Sequence, residues 1–320
     1  MSSSAITDWD DQTTDGVLTT LESIRDYLRW TLSAFNKYEV FFGHGTDDPW
    51  DEALGLVLHA IALPWDTDPR VLDAKLTLDE RRDVIALVKK RVTDRVPLAY
   101  LTQKAWFADL EFYVDDRVLI PRSPIAELIE DRFAHLKSAE ELESILDVGT
   151  GSGCIAIACA AYLPETHVDA IDVSDDALSV AKINVDRHQV AVNLFASDLF
   201  ENVNRRYDLI IANPPYAAES EWTDIPEEYR AEPKGALFSA DEGLYHVKQL
   251  LLSAEEYLEP NGIMIVEVGM SQPQFETVFP CLPVTWLEFS RGGQGVFMLD
   301  RETLVSQAAY LRSTIKAETN

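Results

Sequence analysis

The stretch Ile145-Leu146-Asp147-Val148-Gly149-Thr150-Gly151-Ser152-Gly153, followed by the apolar run Cys154 to Tyr162, leaves this chain little choice of architecture. A buried-strand run ends in three alternating glycines, and an apolar segment of helix length follows. Strand, glycine turn and helix in that order form one step of an open α/β layer, with the turn at the C-terminal edge of the sheet. From Pro124 onward further β-rich runs alternate with helical segments: Ser144 to Gly149, Val168 to Val173, Asn193 to Ala196, Leu209 to Ala212, Ile263 to Val268, Thr285 to Phe289 and Gly295 to Leu299. Seven strands spaced in this way predict a largely parallel sheet. Only Ser290 to Gln294 separates the last two runs, too little for a crossover helix, so they are expected to pair antiparallel.

Upstream the texture is helical. Val17, Leu18, Leu21, Ile24 and Leu28, then Leu54, Val57, Leu58 and Ile61, recur at helical spacing, with a turn-rich break from Leu63 to Pro69. Asp79 to Val92 carries Val84, Leu87 and Val88 on one face before Pro97 stops the helix. Between Ala105 and Pro121 the apolar residues Phe107, Leu110, Phe112 and Val114 alternate, and Asp115-Asp116 reads as the turn of a hairpin. The expected organisation is a helical domain over 1–104, a hairpin linker over 105–123 and an α/β domain over 124–320. A chain of 320 residues exceeds the roughly 250–300 at which one core stops growing, in keeping with two domains.

Composition narrows the function. Hydrophobic residues at 47% and charged residues at 26% exclude a mainly disordered chain. Lys and Arg number 27 against 55 Asp and Glu, a net charge of −28 that repels phosphate backbones, argues against bulk nucleic-acid binding and leaves either basic proteins as partners or a solvated acidic surface that aids solubility. No window reaches the ~18 apolar residues of a membrane span, and MSSSAITDWDDQ lacks the basic and apolar regions of a signal peptide, so a cytoplasmic location without membrane contact is expected. Cys154, Cys159 and Cys281 are odd in number and show no CxxC spacing, which predicts small core residues rather than disulfides or a metal site. His44 stands between two glycines without a second ligand at metal spacing and reads as a loop residue.

Gly149, Gly151 and Gly153, with Thr150 and Ser152 between them, let the backbone turn tightly against a ligand while the next helix presents its N-terminus. The dinucleotide fingerprint would place Gly or Ala where Cys154 stands, so a pyrophosphate is disfavoured. Asp172 closes the next strand run, where a carboxylate can accept both hydrogen bonds of a ribose, and Asp198 follows the third run, placed for an adenine amino group. These positions suit a nucleoside without phosphates, and S-adenosylmethionine fits that description.

The strongest chemical signal is Asn213-Pro214-Pro215-Tyr216, directly after the fourth strand run. Two prolines fix an extended turn and remove two N–H donors, so only acceptors face the site. A carboxamide nitrogen is a poor nucleophile because its lone pair is delocalised into the carbonyl. Acceptors that hold both its N–H groups draw charge toward nitrogen, and Asn213 Oδ1 with the Pro214 carbonyl can be those acceptors. Tyr216 can stack on the flat amide and exclude water. Glu267, at the end of its strand run, reads as a support of this loop rather than as a catalyst.

Asp147 to Gly153 together with Asn213 to Tyr216 resembles the S-adenosylmethionine-dependent amino methyltransferases that act on planar nitrogen, and the whole chain is similar to the protein glutamine-N5 methyltransferases. Ile120-Pro121-Arg122, Glu232-Pro233 and Gly243-Leu244 look like that family's flanking blocks. Its release-factor branch reads IPRPDTE where this chain has Ile120 to Glu127 with Ala126 in the acidic place, whereas Phe42 to Glu52 and Ile225 to Arg230 resemble the branch acting on large-subunit ribosomal protein L-three. The resemblance implies a seven-stranded Rossmann-like methyltransferase sheet behind a helical substrate-recognition domain. It implies Asp147, Gly149, Thr150, Gly151, Ser152, Gly153 and Asp172 at the cofactor, Asp198 or Leu199 near adenine, and Asn213, Pro214, Pro215 and Tyr216 around the glutamine amide. A release-factor methyltransferase, a DNA adenine-N6 methyltransferase and a non-catalytic ribosome assembly factor are the alternatives. Net charge opposes the DNA reading, and the intact motifs oppose the inert one. The acidic cluster Glu219, Glu221, Asp224, Glu227 and Glu228 is read as a solvated loop. Gly292-Gly293-Gln294 repeats the tripeptide of the release-factor substrates, but two glycines between paired strands make a hairpin turn, and the match is read as coincidence.

Overall fold

The computed structural model describes residue 9 and residues 11–136 and 142–318. Residues 1–8 and 10, part of the segment read for a signal peptide, lie outside the described residues. Two compact units are formed, Met1–Lys104 with Pro226–Ala231, and Ala105–Ile225 with Glu232–Asn320. Among the described residues, no helix is long and apolar enough to cross a membrane.

The first unit contains α1 (Asp11–Thr20), α2 (Ile24–Lys37), α3 (Pro49–Ala60), α4 (Leu78–Thr93) and α5 (Leu98–Thr102). Capping boxes start α2, through Ser23 and Asp26, and α4, through Thr77 and Glu80, and satisfy backbone N–H groups that the helix cannot. Asp48 caps α3, whose first turn begins with Pro49. Tyr27, Leu28, Phe35, Leu56, Val57, Val84 and Val88 fill the core between these helices.

A cluster of buried charges interrupts that core. Arg91, near the end of α4, is 1% exposed. It bonds the Glu52 carboxylate through Nε, Glu228 through Nη1 at 3.3 Å and the Phe41 carbonyl through Nη2 at 2.7 Å. Arg95 donates to Glu228 at 3.3 Å and to the Tyr38 carbonyl at 2.7 Å, and Glu228 also accepts the Phe41 N–H at 3.0 Å. The expectation of a solvated acidic loop therefore fails at Glu228, which is buried because two inward-facing arginines need a carboxylate; Glu219, Glu221, Asp224 and Glu227 are exposed. Residues 226–231 pack with the helical unit, although the boundaries expected from sequence put them in the α/β domain.

The second unit opens with a hairpin, β1 (Ala105–Phe107) and β2 (Leu110–Phe112), whose turn is Ala108-Asp109 rather than the expected Asp115-Asp116. Both turn residues have positive φ, 47° and 57°, the backbone that matches the twist of paired strands. Asp115 instead closes a separate turn, accepting from the Arg117 N–H and guanidinium and the Tyr113 hydroxyl. After α6 (Ile125–Glu130) the chain runs through β3 (Ser144–Val148), α7 (Cys154–Tyr162), β4 (His167–Asp172), α8 (Asp175–His188), β5 (Val192–Ala196) and β6 (Tyr207–Ala212). A short parallel pair, β7 (Ala217–Ala218) with β8 (Phe238–Ser239), brackets α9 (Lys234–Leu237). Then come α10 (Tyr245–Tyr257), β9 (Leu258–Glu267), α11 (Gln272–Val278), β10 (Thr285–Trp286), β11 (Val296–Asp300) and α12 (Arg301–Glu318).

The seven-stranded sheet has the order β10-β11-β9-β6-β3-β4-β5. β9, β6, β3, β4 and β5 are mutually parallel, and β11 is antiparallel to both its neighbours. Every residue of β3 is buried, as a central strand covered on both faces requires. Cys159 is buried and Cys154 half-buried, but Cys281 is exposed, against the expectation of three core cysteines. It sits beyond α11 in the turn before β10, outside the packed layers.

Candidate active site

The parallel register brings the expected residues together. Val148 pairs with Ile171 and with Ala212, Asp172 with Ala196, and Ala212 with Val266. Five strands thus end within a residue of one another, and Gly149 and Asn213, just past their strands, emerge at one edge with Asp172 and Glu267, the last residues of theirs. Because β4 and β6 flank β3 on opposite sides, the chain reverses its direction of winding there, which opens a crevice at the C-terminal edge.

A cavity of about 310 Å³ occupies this edge. Gly149, Thr150, Gly151 and Ser152 form one wall, Asp172 and the Asp198-Leu199 turn a second, and Asn213, Pro214 and Pro215 a third. Gly149 and Gly151 have φ of +74° and +55°, and a Cβ on either would meet no atom within 4 Å, so their backbone presents open space suited to a close-lying ligand. Each Asp172 oxygen accepts one backbone N–H, from Gly151 at 2.9 Å and from Ser174 at 2.9 Å, and keeps lone pairs for a further donor. Burial raises its pKa. Leu199 adopts φ +46°, unusual for a leucine, in a turn braced by the Ser197 hydroxyl donating to the Leu199 carbonyl at 2.7 Å. A glycine cradle and a hydrogen-bonding carboxylate fit a nucleoside, and the two arginines of the lining, Arg117 and Arg122, are paired with Asp115 and Glu232.

Asp147 and Gly153 stand behind this surface rather than on it. Asp147 Oδ2 accepts from the Thr150 hydroxyl at 2.6 Å and the Ala156 N–H at 3.2 Å, which ties the glycine turn to the first turn of α7. Burial pushes its carboxyl up to about 7 against those two bonds. Gly153 caps α7 at φ +82°, where a Cβ would crowd Ile157 and Ala181.

Tyr216 is likewise a flank of the site and not part of the cavity lining. Its hydroxyl donates to Glu267 Oε1 at 3.3 Å, and its carbonyl accepts from the Ser271 hydroxyl at 2.6 Å. Two glycines make room for it, and a third makes room for one of those two. A Cβ on Gly243 would lie 2.1 Å from the Tyr216 carbonyl oxygen, one on Gly269 would lie 2.6 Å from its ring, and one on Gly295 would lie 2.1 Å from the Gly269 carbonyl oxygen. Gly292, Gly293 and Gly295 all have positive φ, so the GGQG segment serves backbone geometry. Glu267 also accepts from the Ser123 hydroxyl at 2.5 Å and is 4% exposed, and burial pushes its carboxyl up to about 7. Asn213 is half-buried, and its carboxamide makes no hydrogen bond to the described residues.

Comparison with known proteins assigns the kinship. The family model described as "Methyltransferase small domain" matches residues 133–260. A protein of Francisella tularensis subsp. tularensis (strain SCHU S4 / Schu 4) named ribosomal protein uL3 glutamine methyltransferase is 43% identical over 293 residues, covering 90% of this chain and 93% of that protein. One of the same name from Neisseria gonorrhoeae (strain ATCC 700825 / FA 1090) is 44% identical over 290 residues, covering 90% and 97%. The chain belongs to the ribosomal protein uL3 glutamine methyltransferase family. Among solved structures, a methyltransferase from Pyrococcus furiosus aligns with TM-score 0.45 and 18% identity, over 60% of this chain and 89% of that one.

Several residues of this uL3 glutamine methyltransferase family member escape the motifs. Arg122 and Glu232 form a bidentate pair at 2.7 and 2.8 Å, and Glu232 also accepts the Ile120 N–H at 2.9 Å. Both lie in segments singled out by resemblance, but sequence gives no sign that the two bond each other. Asn184 on α8 accepts the Tyr113 N–H at 2.7 Å and donates to the Ser152 carbonyl at 2.9 Å, so one buried amide fastens the glycine turn to the segment after the hairpin. Its cue is a carboxamide on the buried face of an amphipathic helix. His246 lines the cavity without any neighbouring pattern to mark it.

Proposed function

We propose that this chain transfers the methyl group of S-adenosylmethionine to the side-chain amide nitrogen of a glutamine in large-subunit ribosomal protein L-three, the uL3 of its relatives' names. One observation carries the reading: the uncommitted carboxamide of Asn213 borders the same cavity as the glycine turn. Bound there, S-adenosylmethionine supplies an electrophilic methyl group on a sulfonium.

Asp172 takes the ribose hydroxyls with its remaining lone pairs, and Asp198 and Leu199 flank the adenine. Asn213 Oδ1 and the Pro214 carbonyl accept the two N–H groups of the incoming glutamine, which draws electron density onto a nitrogen that otherwise shares its pair with the carbonyl. Pro214 and Pro215 offer no competing N–H. Tyr216, clamped by Glu267 and packed against Gly269, closes the flank of the amide and keeps water out. No base is needed at the moment of transfer: loss of the methyl leaves the sulfonium as a neutral thioether, and the methylated amide gives up its proton to water as the product leaves the site. The helical unit is assigned to recognition of the protein substrate, and the acidic chain attracts a basic ribosomal protein.

The test incubates purified protein and labelled S-adenosylmethionine with unmethylated L-three, an unmethylated release factor and duplex DNA in parallel, and locates label by peptide mass spectrometry. Label on a glutamine of L-three is expected. Label only on the release factor moves the substrate, and label only on DNA overturns the glutamine chemistry. In the same assay Asn213→Ala is expected to lose about 10²- to 10³-fold in turnover while binding the cofactor normally by calorimetry; unchanged turnover removes Asn213 from its role.

A further inference from the structure

We propose that His246 is a further cofactor-binding residue, its imidazole Nε2 donating a hydrogen bond to N1 of the adenine flanked by Asp198 and Leu199. The inference rests on the cofactor reading above and adds a residue that none of the motifs contains.

His246 stands in the first turn of α10 and lines the cavity together with Asp198, Leu199 and Asn213. Its Nδ1 lies 2.9 Å from the Ser239 hydroxyl oxygen, and Ser239 is buried on β8. The register partner of Ser239 is Ala218, on the short strand that continues directly from Tyr216. The α10 backbone just before the histidine is fixed too, since Gly243 abuts the Tyr216 carbonyl. The ring is therefore held at Nδ1 by a strand whose partner continues the Asn213–Tyr216 turn, in the way a second partner sets which nitrogen of a functional histidine carries the proton.

We take the Ser239 hydroxyl as the donor of this contact to Nδ1, which leaves the proton of a neutral ring on Nε2, an atom with no hydrogen bond among the described residues. Burial holds the imidazole below its ordinary pKa while the charge of Asp198 opposes that shift. At neutral pH the residue is then a single directed donor and not a cation. Asp198 beside it can only accept. Adenine matches this pair, because its exocyclic amino group donates and its ring nitrogens accept. Hypoxanthine reverses the pattern at its six-membered edge, with an accepting oxygen and a donating N1.

The experiment is calorimetric titration of the full chain with S-adenosylhomocysteine and with S-inosylhomocysteine. His246→Phe keeps the ring and removes the donor. It is expected to weaken S-adenosylhomocysteine about tenfold, the value of one hydrogen bond, and to leave the already weak S-inosylhomocysteine unchanged. His246→Gln, which restores an N–H near the position of Nε2, is expected to recover most of the loss. Ser239→Ala, which frees the ring to turn, is expected to lose in the same direction by less. Equal S-adenosylhomocysteine affinity in wild type and His246→Phe overturns the proposal, as does an equal loss for both ligands, which a purely structural role would produce. Failure of the wild-type protein to bind S-adenosylhomocysteine overturns the cofactor reading itself, and the inference with it.

Discussion

Glu267 shows what burial does to a single carboxyl at this site. In an unfolded chain it titrates near 4.5, whereas in the folded protein burial lifts it to about 7. Between those values the folded state holds a proton that the unfolded state has released, so this residue makes stability fall as pH rises from about 4.5 to about 7 and adds nothing further above that. Glu267→Gln keeps the size and polarity of the neutral form and removes the titration. Its stability relative to the parent is expected to rise across that window by up to about 3 kcal/mol. Urea unfolding of both proteins at pH 5 and pH 8 reads the effect, and a parent-to-variant difference that stays constant contradicts it. At this scale, sequence is legible where chemistry demands a particular residue at a particular spacing. Gly149 and Gly151 are needed for backbone that nothing else adopts without strain, and Asn213-Pro-Pro has few structural excuses. His246 and Ser239 were invisible, because an isolated histidine and serine gain meaning only when a strand pair and a helix start bring them to 2.9 Å.

Glycines that look alike in sequence divide sharply once the elements around them are known. Gly243 and Gly292 share a left-handed backbone, at φ +86° and +88°, but a Cβ on Gly243 would collide with the Tyr216 carbonyl and one on Gly292 would meet nothing. Gly292→Ala is expected to cost only the backbone term of about 1 to 2 kcal/mol and to leave turnover intact. Gly243→Ala adds displacement of the loop after β6, so it is expected to cost more than that and to lose most turnover; thermal unfolding and the methyl-transfer assay distinguish the two, and equal behaviour refutes the packing argument. The sheet itself was readable because apolar runs of strand length alternate with helical ones, and because a five-residue link forbids a crossover. The hairpin turn was not. Ala108-Asp109 carries no glycine or asparagine to advertise positive φ, while Asp115-Asp116 looks like a turn and forms a different one. Arg91 defeats helix periodicity in a similar way, being a charged residue on a buried face whose partner Glu228 lies 137 residues away.

Across the whole molecule the charge of −28 sets how a basic substrate is met. Attraction of this kind acts through water and is screened beyond a Debye length of about 10 Å at 0.1 M salt. Affinity for the ribosomal protein is expected to fall steadily as sodium chloride rises from 50 to 500 mM, mainly through slower association, while affinity for S-adenosylhomocysteine stays nearly constant. Stopped-flow and calorimetric titrations at several salt concentrations decide this, and a salt-independent association rate would show that the acidic surface plays no steering role. The ion cluster of the helical unit bears on synthesis as well. The ribosome delivers Arg91 and Arg95 first, and Glu228 emerges only after 137 further residues beyond Arg91, on the order of ten seconds later at typical rates. Throughout that interval the nascent helices stand without the carboxylate on which both arginines converge. The unit translated first is thus left incomplete until more than half of the second unit has been made, and a fragment ending at the hairpin would carry that deficiency permanently.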